Sequence, residues 1–233
     1  MTQSTQSHEA LSSDQLTVAV DQIIQARKSV KMLGDVDDVP QIPAGFFGEV
    51  QDAMKVAGWA PFHFTAHDSH LNDAMDSLVP WRFYALDQQN CLRLIDALLE
   101  HPETSLTKSS GILRMIAAYG ALVLVTWLPE PEGNEQEAAR AALKNPEHIA
   151  ATAAATQNLL LAATARNMDS YWSSGGVLRE KACFELCGIP AQERLLGSIF
   201  LAPQMDVEGR DVRPGKLREQ RGNPKQWMRL VQV

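Results

Sequence analysis

Cysteine is scarce in this chain: Cys91, Cys183 and Cys187 are the only three in 233 residues. An odd number cannot pair completely, and none stands at a zinc-type spacing from histidine. Cys183 and Cys187 lie four apart on a predicted helix, where side chains share a face but seldom reach disulfide geometry. All three are expected to be buried thiols in a reducing cytoplasm. Excess positive charge is also missing. Lys and Arg total 21 against 28 acidic residues, a net charge of −7. That disfavours broad binding to nucleic acid or anionic membrane, which needs a basic surface, and leaves room for a local pocket for one phosphate. No long apolar run occurs. The longest, Gly120 to Leu128, is far too short to span a bilayer. The opening residues, MTQSTQSHEALSSD, lack the basic start and apolar run of a secretory signal, so a cytoplasmic location is expected. The fingerprints GxGxxG, GxxxxGK[ST] and GxSxG are absent too, which argues against a resident dinucleotide fold, a P-loop and a serine-hydrolase elbow.

What is present supports one core. Apolar residues make up 45% of the chain, enough for a sizeable interior. Residues 1–11 are expected to form a disordered tail and 12–233 a single domain. Ser12 with Gln15 fits a capping box, and Leu16, Val20, Ile23 and Ile24 follow at helical spacing to about Ala26. A second helix is predicted over Phe46 to Ala57, with Gly58 just past its end and Pro61 blocking continuation. Trp81 to Leu86 alternates as a strand. Asp87 can cap a helix carrying Cys91, Leu94, Ile95 and Leu98, and a further helix is predicted over 109–118. Ala121 to Leu128 reads as a central buried strand. Residues 129–144 are polar and acidic, and an exposed excursion is expected there. Asn145-Pro146-Glu147 looks like a helix start, opening a long alanine-rich helix that stops at Asn167. A short strand then runs into Tyr171-Trp172, and Leu195 to Leu201 forms another buried strand. The polar, basic stretch after Pro203 is expected to lie across a partner. Helices first, then strands interleaved with helices, predict an α+β fold with helices on a small sheet.

Three clusters carry chemistry. Arg27-Lys28-Ser29-Val30-Lys31 combines three cations with a hydroxyl just past the first helix. Arg can grip a phosphate bidentately, Lys adds point charge and Ser donates one bond. Cations also suit a helix C-terminus for electrostatic reasons alone. The second cluster spans Ala60-Pro61-Phe62-His63 and Ser77-Leu78-Val79-Pro80-Trp81-Arg82-Phe83, joined by a link rich in histidine. His63, His67, Asp68 and His70 fall within eight residues and could bind a metal, or could simply be polar loop residues. A link this long in a compact domain is usually functional or mobile. The third cluster is Gln157-Asn158-Leu159 on the long helix, followed by Trp172-Ser173-Ser174-Gly175. Asn158 is read as a buried amide bonded to neighbouring backbone. Asn167 tolerates a left-handed helix end, and Gly175 lets a ligand approach the backbone.

In order and spacing these clusters resemble the nitroreductase family of FMN-dependent NAD(P)H oxidoreductases, over about Leu16 to Arg221. The family opens with a helix and Arg-x-Ser, often with a cation two residues on, holding the FMN phosphate and ribityl chain. Arg27, Lys28, Ser29 and Lys31 match. Its second motif resembles Ala-Pro, a polar link, Asn or Ser, any residue, then Gln-Pro-Trp and an aromatic strand. Ser77, Pro80, Trp81 and Phe83 fit, and His63 holds a position from which some members touch FMN. Two departures stand out: 18 residues separate Pro61 from Pro80, and Val79 replaces the Gln that meets the flavin edge. Trp172, Ser173, Ser174 and Gly175 fall where the family contacts flavin and phosphate, although Asn167-Met168-Asp169-Ser170 replaces the usual Gly-x-Gly. One late cation, Arg218 or Arg221, matches another that often reaches the phosphate.

The resemblance implies a three-layer α/β/α fold. A small, mostly antiparallel sheet is flanked by helices, and a long central helix lies at a homodimer interface. It implies FMN at that interface and a C-terminal extension reaching the partner subunit. NADH or NADPH would be co-substrate, and an electron-poor nitroaromatic, quinone or enone would be the acceptor in a ping-pong reaction. FMN carries the chemistry, so no catalytic side chain and no metal are expected. Two other readings stay open: a metal-dependent hydrolase using His63, His67 and His70, and a non-catalytic flavin-binding protein.

Overall fold

A computed structural model describes residues 11–204 and 211–232; the expected tail over 1–11, save Leu11, lies outside the described residues. Among the described residues six helices and six strands follow one another: α1 (Ser13–Ala26), β1 (Val30–Leu33), α2 (Phe46–Ala57), β2 (Trp81–Asp87), α3 (Gln88–Glu100), α4 (Gly111–Ala118), β3 (Ala121–Trp127), α5 (Glu135–Ala165), β4 (Met168–Ser173), α6 (Lys181–Leu186), β5 (Arg194–Pro203) and β6 (Asp211–Pro214). Local chemistry sets several boundaries. The Ser12 hydroxyl accepts from the Gln15 amide while the Gln15 side chain accepts from the Ser12 amide, the reciprocal box that starts α1. Asp87 caps α3 by accepting from the Asn90 amide at 2.8 Å.

Four strands form one antiparallel sheet in the order β2-β3-β5-β4. Successive side chains of β3 point to opposite faces, and both faces are buried. Ala121, Val123 and Val125 meet Phe46, Val50 and Ala53 of α2 and Leu159 and Ala163 of α5. Leu122 and Leu124 meet Leu94 and Leu98 of α3, Leu113 and Ile116 of α4, and Phe184 of α6. The result is the expected three-layer α+β arrangement with a long central helix.

A second, two-stranded sheet pairs β1 with β6, Val30 opposite Pro214 and Lys31 opposite Arg213. Its place is fixed by Tyr119, whose buried hydroxyl donates to the Val30 carbonyl and accepts from the Met32 amide at 3.0 Å. The far end of β1 is tied to α4: the Gly34 amide donates to the Arg114 carbonyl, and Arg114 Nε donates back to the Gly34 carbonyl.

Three expectations are corrected. The stretch 129–144 is not an excursion, because α5 begins at Glu135, capped by the Asn134 side chain on the Glu137 amide. Pro146 sits inside the helix. Its missing N–H removes one helical bond, but alanine-rich turns continue on both sides. Asn145 does not cap. Its side chain accepts from the Glu130 amide at 2.9 Å, tying the loop after β3 to the helix. Asn158 is not a buried amide: it is half-buried and makes no side-chain hydrogen bond among the described residues. The buried stripe of α5 runs through His148, Ala151, Thr152, Ala155, Thr156, Leu159 and Ala163, and position 158 falls beside that stripe. Finally, β1 and β6 were not foreseen as strands.

Tyr119→Phe removes the bonds that hold β1. It should lower stability by about 1–3 kcal/mol, read as a lower urea midpoint with an unchanged slope.

Candidate functional site

The chain leaves α1 at Arg27, whose amide still bonds the Ile23 carbonyl while its own dihedrals turn extended. Two residues later Ser29 bridges Ser170 of β4 in parallel, so the basic segment runs beside that edge strand. Lys31 Nζ lies 5.9 Å from the centre of the Tyr171 ring on β4. The C-terminal stretch folds back over the same place. The Gly215 amide donates to the Ser29 carbonyl at 2.9 Å. Arg218 donates to the Arg27 carbonyl at 2.7 Å and also to the Gln25 carbonyl, both among the last carbonyls of α1.

The Arg27 guanidinium is held below its ordinary pKa, first by partial burial and then by the neighbouring charges of Arg221 and Arg218. Among the described residues it has no ion-pair partner. Three guanidinium groups gathered together, with Glu219 near Arg218 at 3.9 Å as the one carboxylate in ion-pair range of them among the described residues, repel one another and favour an anion.

At the far end of β4 the Trp172 indole lies on Gly197 of β5. A Cβ built on Gly197 would stand 2.1 Å from Trp172 Nε1. The indole is 36% exposed, so its other side is open. The next turn places Gly175 at φ 105°, and a Cβ there would fall 2.6 Å from Leu195 Cδ2. The Gly175 amide donates to Ser173 Oγ at 3.2 Å. Arg179 staples this turn to β5, donating to the Ser174 and Leu195 carbonyls. Behind it, Ser198 Oγ is buried without a hydrogen-bond partner among the described residues. Gly197, Arg179 and Ser198 were missed from sequence. Only Gly197 gave a signal, as an isolated glycine inside a predicted strand, which marks close approach.

The histidines of the 61–80 link part company. His63 Nδ1 lies 3.0 Å from Glu147 Oε2 on α5, exposed. His67 pairs with Ser69 Oγ at 2.9 Å. His70 is buried and its Nε2 bonds the Pro129 carbonyl at 2.7 Å. Among the described residues no group of three or more candidate ligands converges, which overturns the metal site drawn on His63, His67 and His70. Ser77 is exposed and gives its carbonyl to the buried Arg82 guanidinium, which also holds the carbonyls of Val79 and Trp81. Phe62 meets the buried Trp81 edge-on at 5.7 Å.

Two groups therefore form. Arg27, Lys28, Ser29 and Lys31 share the β4 edge with Trp172, Ser173, Ser174 and Gly175. Ser77 lies by the start of β2, the opposite edge, and His63 reaches α5. The register sets Ser173 level with Tyr84, three residues along β2 from Trp81, and three strand spacings separate β2 from β4, about 14 Å. One chain does not close that gap.

Comparison with known proteins agrees with this architecture. The family model described as "Nitroreductase family" matches residues 24–202. The chain belongs to the nitroreductase family. Solved structures with similar folds include a nitroreductase-like protein from Bacillus cereus, 20% identical, covering 97% of this chain and 99% of that one, with a TM-score of 0.62. A candidate NADH oxidase from Clostridium acetobutylicum is 14% identical, covering 91% and 99%, with a TM-score of 0.52. A candidate nitroreductase from Desulfovibrio desulfuricans, solved in complex with FMN, is 20% identical, covering 80% and 87%, with a TM-score of 0.50. No curated protein matches the chain. Among the described residues, no helix is long and apolar enough to cross a membrane.

Gly197→Ala should push the indole off β5. The expected result is a shifted tryptophan emission and a loss of about 1–3 kcal/mol in denaturant unfolding, the usual range for overpacking.

Proposed function

We propose that the protein is an FMN-dependent oxidoreductase working as a cytoplasmic homodimer. The single observation that carries the reading is the gathering of Arg218 and Arg221 around Arg27, which has no ion-pair partner among the described residues, beside the β4 edge. The residues fit FMN on three counts. The guanidinium cluster suits a phosphate. The half-exposed Trp172 and the glycine turn suit a flat ring system approaching backbone. Ser198 Oγ, a buried hydroxyl behind that turn, offers a bond that nothing among the described residues takes up.

Arg27, Lys28, Ser29 and Lys31 would hold the phosphate and ribityl chain, with Arg218 or Arg221 adding the late cation. Trp172, Ser173, Ser174 and Gly175 would orient the ring. His63 and Ser77 would act on the same cofactor from the second subunit, since within one chain they lie on other elements. Bound there, FMN supplies hydride storage between NADH or NADPH and an electron-poor acceptor such as a nitroaromatic, quinone or enone, in ping-pong order. Fixed cations and backbone amides favour the negative charge that builds on a reduced ring.

Exposed apolar surface supports the dimer. Leu16, Val20 and Ile24 of α1 are about half exposed, and Trp59 after α2 is 87% exposed. Val20, Ile23 and Ile24 line an apolar groove with Trp59, Asn158 and Leu161. A monomer seldom presents so much contiguous apolar area. The last residues belong to the same reading: Trp227, Met228 and Leu230 are exposed on their own chain and would cover the partner subunit.

Purified protein should be yellow, with FMN released on denaturation, and should sediment as a dimer. Arg27→Ala should weaken FMN affinity by about tenfold or more, the loss of one charge-assisted contact. Colourless protein that takes up no added FMN would end the proposal. Rapid anaerobic mixing with NADH and NADPH should bleach the flavin absorbance. A flavin that stays oxidised with both would leave only a binding protein, a reading that Val79 in place of Gln favours.

A further inference from the structure

The three cysteines belong to one core cluster on the face of the sheet carrying α3 and α6, and Cys187 opens onto a surface cavity there. Cys183 and Cys187 bracket the last turn of α6, with their sulfurs 4.0 Å apart and both thiols free. Their exposures differ. Cys183 is fully buried, whereas Cys187 is half-buried and lines a cavity of about 440 Å3 with Tyr84, Leu86, Asn90, Arg93 and Leu186. Cys91 is buried against the other side, its thiol directed at the Leu86 carbonyl. An incoming small molecule can reach the sulfur of Cys187 and not that of Cys183. Arg93 is exposed at the same cavity and carries the one cation among its lining residues.

We propose that Cys187 and Cys183 form a dithiol switch that reacts with small anionic disulfides of the oxidised-glutathione type, Cys187 attacking and Cys183 resolving. The Cys187 thiolate displaces one half of the small disulfide. A Cys187–S–S–R bond forms and RS− leaves. Cys183 then loses its proton to the released thiolate and attacks the Cys187 sulfur. The Cys183–Cys187 bond forms and a second RS− leaves. In sum, two protein thiols are oxidised to one disulfide, and one small disulfide is reduced to two thiols.

Geometry favours this pair over either alternative with Cys91. A sulfur–sulfur bond is about 2.05 Å long, so the two sulfurs must close by about 2 Å. The turn that must give way is the last of a six-residue helix, where Cys187 is already the C-cap. Its terminal backbone bonds are three: the Cys187 amide on the Cys183 carbonyl, the Gly188 amide on the Glu185 carbonyl and the Ile189 amide on the Phe184 carbonyl. Two further facts agree. A hydrogen bond from Cys183 holds the Cys187 thiol below its ordinary pKa against the opposing effect of burial. Burial, with the nearby Asp87 charge adding to it, pushes Cys91 up to about 12 and keeps it unreactive. The α6 turn follows directly on the Gly176–Arg179 3₁₀ segment that Arg179 staples to β5, so oxidation would pull on the turn after Trp172.

The test uses the native protein, as purified with whatever it binds, incubated anaerobically with oxidised glutathione, acid-quenched, alkylated and mapped by peptide mass spectrometry. Wild type should give a peptide bridged between Cys183 and Cys187, with Cys91 still free. Cys183→Ser should stop at a glutathione adduct on Cys187, and Cys187→Ser should carry none on Cys183. Because Cys183 is a core residue, circular dichroism must show each variant folded. Should either be unfolded, a short iodoacetamide pulse on wild type decides instead: Cys187 should label at least about tenfold faster than Cys91 and Cys183. A stable adduct at Cys187 that never bridges in wild type, or equal labelling of Cys91 and Cys187, would overturn the proposal.

Discussion

The buried hydroxyl of Tyr119 lies between the Val30 carbonyl and the Met32 amide, and the position of the basic cluster follows from that. With β1 held there, Ser29 must run beside Ser170, and Arg27 must leave α1 toward β4. With β1 in place, β6 has an edge to pair with, and that pairing returns Arg218 and Arg221 to the end of α1. Cations far apart in sequence then share one small space. Their mutual repulsion opposes this arrangement, and it is enforced by the β1–β6 ladder, the Tyr119 hydroxyl and the Gly215 amide on the Ser29 carbonyl, none of them charged. Arg218 itself is anchored on helix-end carbonyls, which are the acceptors a helix C-terminus leaves open.

The four-stranded sheet acts as a ruler. Antiparallel register sets the end of β4 level with Tyr84, midway along β2, and strand order keeps the two strands on opposite edges. The long 61–80 link belongs to the β2 side, fastened by the His70 bond to Pro129 and the Arg82 bonds to three carbonyls. Its histidines act as local ties, each with a separate partner, and this is why they do not assemble a metal site. On the β4 side the limiting quantity is space. Gly197 and Gly175 leave room that a methyl group would fill, and the indole and the following turn settle into it.

Much of the fold was legible in the sequence because the controlling signals are local. The capping box of α1, the bounds of α2 and the β-branched run of β3 depend on residues within a few positions of one another. Asn167 was readable as a helix end for the same reason, and it does adopt a positive φ of 54°. The start of α5 was misread because Asn-Pro-Glu has the chemistry of a first turn. Asn134, eleven residues earlier, had the same capping chemistry, and the preceding residues packed well enough as helix to absorb an internal proline. Asn158 was misread because burial depends on helix phase against α2 and β3, which composition does not encode. Of the candidate site, the residue types in each cluster could be found by inspection, but Arg179 and Ser198 could not, since both act through contacts with β5 or with the turn before it.

The sequence by itself determined the element types, the α+β class and the pool of residues from which an anion site could be built, because helix caps, periodicity and turn chemistry are short-range. Tertiary structure alone decided which of those residues meet. A bond between Arg218 and Arg27 spans 191 positions, the β1–β6 pairing is nearly as distant, and the cavity that Cys187 lines depends on how α6 seats against α3 and β2. Such contacts are set by packing and by the closing of long loops, and no pattern along the chain records them.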